Sequence, residues 1–458
     1  MAEHELKPFI LDLPNEILIA ILEQVARHEL VNPITPSLFV CRRFCQLGIP
    51  VQYKRLKLSS SKDVSRSKPR ISELQRTLQE NSGLGQYCRD LCICSNDADD
   101  SDSNDRNSGE SHHGWDDGDW SDGDSDGNSD GNDADDSDAD DSDPNNFPIL
   151  RNIASSLPNV HSLEIDGGLG MDEGSYSAKN RDTWCLFRFC VAFMPSLRTV
   201  SLRGGMGGQL DVRELMDTLK GTSVRRLILH GFEVSDSPIH QWPSQEFGPS
   251  CINELDLELC NERPTVTACL LEWPEALTSL TFKNNCSGQK DMDLPALGSM
   301  LRKHKDSLVK LSIGSLASEG MGKLFDLSAF GAMEELELVM QQIVPNWPAN
   351  FGENDYSSLL PPNLNILKVG IFGSDKDNYE HFRDGAGSWL RGYAKAAVRQ
   401  KVPLQEIVLD VPVLARKRSR SPALFLWGRL DAPEFDQFWD AMDALEKDLR
   451  SMGIALTY

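Results

Sequence analysis

Apolar residues recur along this chain at one short spacing: a position, then three and five residues later. The spacing occurs eleven times, from Tyr53/Leu56/Leu58 and Cys88/Leu91/Ile93 through Val160/Leu163/Ile165 to Leu364/Leu367/Val369 and Leu404/Ile407/Leu409. The last two positions of each triplet alternate in–out–in, as a short strand with one buried face requires. Between triplets lie helical patterns such as Ile71/Leu74/Leu78, Ile149/Ile153/Leu157 and Val212/Leu215/Met216/Leu219. From Val160 onward the triplets stand 25 to 40 residues apart. One strand and one helix cannot bury their apolar faces alone, so the pattern predicts α/β units stacked on one another.

Ahead of the first triplet the period changes to 3.6. Ile17, Leu18, Ile21, Leu22 and Val25 predict an amphipathic helix, opened by Pro14 and ended by Asn32-Pro33 and Thr35-Pro36. Glu16 falls in its first turn, where a carboxylate suits the helix dipole. A second helix is predicted over Ser37–Leu47, with Leu38, Val40, Cys41, Phe44 and Leu47 apolar and Gly48 and Pro50 stopping it. So short a helical unit has little core of its own, and any apolar surface left on it would want a partner.

Three stretches of this region, LPNEI at 13–17, VCRRF at 40–44 and YKRLKL at 53–58, resemble the fungal form of the F-box. That resemblance implies docking onto a Skp-family adaptor, and through it onto a cullin scaffold and a RING subunit. It implies that Leu13, Pro14, Ile17, Leu18, Ile21, Val40, Cys41 and Phe44 divide between adaptor contact and internal packing. The triplets with their helices resemble a degenerate leucine-rich repeat, which implies a curved solenoid with strands on its concave side. The expected architecture is α/β: a small N-terminal helical F-box over 1–52, a leucine-rich-repeat horseshoe over 53–410, and a capping segment over 411–458. In that last segment Phe435, Phe438, Trp439, Met442, Leu445 and Leu449 share one helical face.

Charge sharpens this organisation. Residues 96–143 hold 20 acidic residues against the single basic Arg106, a charge of −19 out of the chain's −24. The tract is rich in Ser, Gly and Asn, cannot bury apolar surface, and is expected to be disordered. Cys88 and Val160 are 72 residues apart, and removing the 48 of the tract leaves 24, one ordinary unit. The tract therefore reads as a loop inserted into one repeat, between strand and helix. Further expansions at 166–183, 230–251, 339–360 and 370–387 also follow a strand and should crowd one rim, a common place for binding.

The outward strand positions form a banded charge pattern. Arg203 is followed by Arg226 and His230, then by Glu254, Asp256 and Glu258, then by Lys283 and Lys310, then by Glu335 and Glu337. Such a surface suits a protein target by charge complementarity, and it is also what solvated strand positions look like. Glu254, Asp256 and Glu258 have the chemistry to hold a divalent ion, but nothing else in the chain points to a metal, and no cofactor is expected.

The chain shows no nucleophile elbow, phosphate loop, kinase motif set or HExxH-type zinc motif, so no catalyst is expected. Its basic residues form no clustered patch for nucleic acid, and no apolar run is long enough to span a membrane. Eleven cysteines without a CxxC pair suit reduced thiols of the cytoplasm or nucleus. The run Arg416-Lys417-Arg418-Ser419-Arg420 has the composition of a nuclear import signal. The expected function is substrate recognition for a cullin–RING ubiquitin ligase, with an unknown protein target. Two alternatives stay open: a repeat scaffold working outside the ligase, and an acidic loop that binds basic proteins.

Overall fold

The computed structural model describes residues 9–28, 38–59, 64–94, 146–167, 169, 178–234, 248, 250–260, 264–283, 294–314, 326–339, 352–370, 385–410 and 432–458. The acidic tract 96–143 and the basic run 416–420 lie outside these residues, as do most of the expected rim loops.

Twelve strands form one parallel sheet in sequence order, β1 (Arg55–Ser59) beside β2 (Asp90–Cys94), β3 (Ser162–Asp166), β4 (Thr199–Leu210), β5 (Arg226–Val234) and β6 (Glu254–Glu258). The order continues through β7 (Ser279–Lys283), β8 (Lys310–Ile313), β9 (Glu335–Val339), β10 (Ile366–Gly370), β11 (Glu406–Asp410) and β12 (Ala455–Thr457). Each apolar triplet of the sequence supplies one strand from β1 to β11. The register aligns their middle positions in one row, from Leu56 and Leu91 through Leu163, Val200 and Leu227 to Leu367 and Ile407. One backbone device repeats with them. The carbonyl just before each strand, from Arg89 through His161, Arg198 and Arg225 to Asn365, accepts two N–H groups from the next unit. Twelve parallel strands in sequence order, none skipping a neighbour, make a one-dimensional stack in which each unit touches its neighbours.

Described helices lie between most successive strands. The described ones are α1 (Asn15–His28), α2 (Arg42–Lys54), α3 (Val64–Glu80), α4 (Asn146–Ser155), α5 (Ala178–Phe193) and α6 (Val212–Leu219). They continue as α7 (Pro264–Glu272), α8 (Leu294–Leu301), α9 (Glu353–Ser358), α10 (Gly387–Gln400) and α11 (Ala432–Ser451). The apolar stripe of α6, Val212, Leu215, Met216 and Leu219, is buried, and Asp211 caps its start by accepting from the Glu214 N–H at 3.0 Å. The inward strand positions and the helix stripes form one continuous core from Leu58 to Ile454. A second, small core of Leu18, Leu22, Phe44 and Val51 belongs to α1 and α2 alone.

The structure departs from the sequence reading in four places. First, α2 does not run over Ser37–Leu47. It starts at Arg42 after an extended Cys41 and continues through Gly48 and Pro50 to Lys54. Propensity loses to packing here: Val51 is buried in the small core, and a side chain at Gly48 would lie 2.2 Å from Leu38 Cδ2. Second, α2 leads directly into β1, so the expected break at 52/53 falls inside a helix. The Lys54 carbonyl accepts from the Arg89 N–H at 2.8 Å, the same bond that later units repeat. Third, β4 and β5 run past the common ladder, pairing Gly208, Gln209 and Leu210 with Phe232, Glu233 and Val234 after a register shift. The backbones approach closely there: a Cβ on Gly204 would lie 2.7 Å from the Gly231 carbonyl, and Gly231 itself has φ +75°. Fourth, the C-terminal segment adds a strand, β12, after its helix. The acidic insertion sits between β2 and α4, and β2 pairs directly with β3.

His304 is the one fully buried histidine among the described residues. Its Nδ1 accepts from the Leu277 N–H at 3.2 Å and its Nε2 donates to the Leu271 carbonyl at 2.7 Å. Burial pushes its pKa below the ordinary histidine range, since a second proton would face the Leu277 N–H. The unfolded chain thus binds that proton more readily. The stability held by neutral His304 is complete above the ordinary histidine pKa and is lost as pH falls through the lower, folded value. Thermal melts at pH 7.5 and 5.5 should show a smaller acid-induced loss in His304→Gln than in the wild type.

Candidate functional site

Two surfaces carry the residues singled out in the sequence. The first is the hairpin of α1 and α2. The Leu18 N–H bonds the Pro14 carbonyl at 3.1 Å, so Pro14 opens the first turn of α1. Leu18 and Phe44 are buried in the small core, and half-buried Leu13, Ile19, Leu38, Cys41 and Leu47 pack around it. Arg43 ties the two helices together. Its Nη2 donates to the Leu13 carbonyl at 2.6 Å and to Asn15 Oδ1 at 2.7 Å, and its Nε to the same Oδ1 at 3.0 Å. Lys54 and Glu23 add an ion pair at 2.7 Å.

That core leaves other apolar residues outside. Ile17 and Ile21, one turn apart on α1, are exposed, as is Ile10. Phe39 and Val40, in the turn before α2, are 82% and 66% exposed. Eleven large apolar side chains are exposed among the described residues, and five of them lie in this hairpin or in the turn just before it. A concentration of that kind marks a surface that expects a partner. The eight hairpin residues named from the sequence therefore separate by role. Leu18 and Phe44 pack, Leu13 and Cys41 stand at the margin of the core, and Pro14, Ile17, Ile21 and Val40 face outward.

The second surface is the open face of the sheet, where the outward strand positions lie. Its charges are largely arranged against each other. Arg226 meets Asp256 at 2.6 Å and Glu254 at 3.7 Å. Glu335 sits between Lys310 at 3.1 Å and Lys368 at 2.6 Å. Burial opposes the Glu335 charge, and the two lysines outweigh it, holding its pKa below the usual carboxylate value. Arg203 meets Glu164 at 3.2 Å. His230 and Glu258 stand opposite each other in the register of β5 and β6.

Two ion pairs skip a strand. Lys283 on β7 reaches Glu337 on β9 at 3.0 Å, and Arg55 on β1 reaches Glu164 on β3 at 3.6 Å. The strand between them presents a small residue, Ser312 in one case and Cys92 in the other, and both are buried. Long charged arms close over small side chains and roof them. Asp256 and Glu254 are both turned to Arg226, so two of the three carboxylates of β6 are already engaged by a cation. Among the described residues no group of three His, Cys, Asp or Glu side chains is placed to hold a metal ion.

Comparison with known proteins adds little. No family model and no curated protein matches the chain. A solved structure, the crystal structure of the Rad7 and Elc1 complex in yeast, aligns at 14% identity with a TM-score of 0.28. The alignment covers 57% of this chain and 66% of that one, just under two thirds of its length. That likeness is too slight to bear on fold or function.

Sequence reasoning missed Phe39 and Ile10 as exposed positions, because an apolar residue beside a helix looks the same whether it packs or protrudes. It also missed Glu164 and Lys368, which hold the charge pattern of the open face together. Lys368 was legible in principle, since it is the outward residue between Leu367 and Val369 of a triplet.

Proposed function

We propose that this chain is the substrate-recognition subunit of a cullin–RING ubiquitin ligase. In this reading the α1–α2 hairpin is an F-box that docks a Skp-family adaptor, and β1–β12 with their helices form a leucine-rich-repeat solenoid whose open face holds a protein target. The observation that carries it is the hairpin itself. Its core is satisfied, its two helices are clamped by Arg43, and five large apolar side chains still face outward, on a segment with the LPNEI, VCRRF and YKRLKL motifs.

The direct passage from α2 into β1 suits this role. A receptor works by proximity: it holds the target at a high effective concentration beside the ubiquitin-loaded subunit and supplies no chemistry. A helix that becomes a strand without a linker fixes the angle between adaptor and target. The test is co-elution of the full chain with a Skp-family adaptor on a sizing column. A stoichiometric complex is expected; a folded protein that elutes apart from the adaptor removes the reading.

A further inference from the structure

The N-terminal end of the open face holds a pair of thiols that the receptor role does not use. Cys92 and Cys94 occupy successive outward positions of β2, and their Sγ atoms are 3.7 Å apart. Neither is in a disulfide, and they are 6% and 8% exposed. Lys57 of β1 and Glu164 of β3 flank Cys92 in the register. The roof over Cys92 is the Arg55–Glu164 pair, whose arginine side chain is 70% exposed. An ion pair at a solvent rim is weak and opens readily.

Two thiols in this arrangement can become a disulfide or a chelate, and the geometry separates the two. Residues i and i+2 of a strand have Cα atoms about 6.7 Å apart, at the upper limit for a disulfide. Bridging them would also require the sulfurs to close to about 2.05 Å. Two thiolates bound at about 2.3 Å to one three-coordinate pyramidal centre, with an angle of about 100° between the bonds, lie about 3.5 Å apart, so chelation needs only a small movement. Among the described residues no third His, Cys, Asp or Glu completes the group, and Glu164 is engaged by Arg55 and Arg203. The described residues thus offer two thiolates and no third ligand, which serves a centre content with two.

We infer that Cys92 and Cys94 form a bidentate thiolate site for a soft, thiophilic centre of low coordination number, of the trivalent arsenical class. Soft thiolates select such centres over hard cations. Cys94 is the readier nucleophile: the hydrogen bond between the two thiols lowers its pKa below the ordinary thiol value and raises that of Cys92, while Lys57 favours both thiolates against burial and the Glu164 carboxylate. With phenylarsine oxide, the Cys94 thiolate attacks arsenic and Cys92 follows. Two As–S bonds form, the As=O oxygen leaves as water with the two thiol protons, and no oxidation state changes.

The probe is phenylarsine oxide added to the full chain, read by intact mass and by peptide mapping after alkylation. In the wild type, Cys92 and Cys94 should be protected together, as one arsenical per pair. Cys92→Ser, Cys94→Ser and the double variant should each lose the same single equivalent, whatever the other nine cysteines bind. An unchanged count in any of the three, or independent alkylation of Cys92 and Cys94 in the treated wild type, would overturn the assignment. The mapping arm needs no variant, so a substitution that fails to fold leaves the test intact.

Discussion

Replacing Ile17 and Ile21 together by aspartate is expected to abolish adaptor binding, with a loss of at least about 100-fold, while the circular dichroism melt stays within roughly 2 °C of the wild type. Both side chains are exposed on one face of α1 and outside the small core, so the fold does not depend on them. Surface substitutions away from caps and buried networks usually cost within about 0.5 kcal/mol. In a docked complex the same two isoleucines would be desolvated, each contributing about 1.5–3 kcal/mol, and two carboxylates in that place would be buried without partners. The contrast is with Leu18→Ala or Phe44→Ala. Those side chains are buried in a core of only four residues, and truncation costs about 2–5 kcal/mol. Binding should fail in those variants because the hairpin melts. Titration calorimetry beside the melt distinguishes the two causes. An aspartate double variant that binds as the wild type does would place the interface elsewhere.

The second large effect concerns the joint on which the stack depends. Gly85 lies in the turn Leu84–Tyr87 before β2, and a Cβ there would stand 1.9 Å from the Ser156 carbonyl oxygen. Ser156 follows α4, on the far side of the acidic insertion in sequence. The obstacle is backbone, so it cannot rotate away as a flexible side chain would. Gly85→Val should cost about 3 kcal/mol or more by overpacking. Because each unit holds only its neighbours, the damage should be local. Hydrogen exchange should show β1 and β2 losing protection while β5 to β11 keep theirs. Uniform loss along the whole sheet, or none, would mean that the units on either side of the insertion are not joined there.

The strands were the most legible part of the molecule. A strand buried on one face must repeat its apolar residues two apart, and stacking forces the same register on every unit, so eleven strands could be read from Leu56/Leu58 to Ile407/Leu409. The twelfth escaped because Gly453 takes the first place of its triplet, leaving only Leu456 and Tyr458 to carry the pattern. The extension of α2 escaped because Gly48 and Pro50 carry strong local signals against a helix, and only the contact with Leu38 and the burial of Val51 reverse them. The site was less legible than the fold. Periodicity shows that Ile17, Leu18, Ile21 and Leu22 lie along one helix, but not which of them a second helix covers. The ion pairs of the open face join residues up to 109 positions apart, as Arg55 and Glu164 do, and some skip a strand altogether. No local pattern encodes such a pair. The banded charges that suggested a target surface are in large part satisfied by one another.

The most direct test separates a ligase receptor from a repeat scaffold that works alone. The full chain, and its Ile17→Asp/Ile21→Asp variant, would be affinity-purified from cells in which cullin activation is blocked, and the adaptor and cullin quantified per bound chain. The receptor account predicts near-stoichiometric adaptor and cullin with the wild type and their loss with the variant. Wild-type protein that is folded and yet recovered without adaptor or cullin would contradict it.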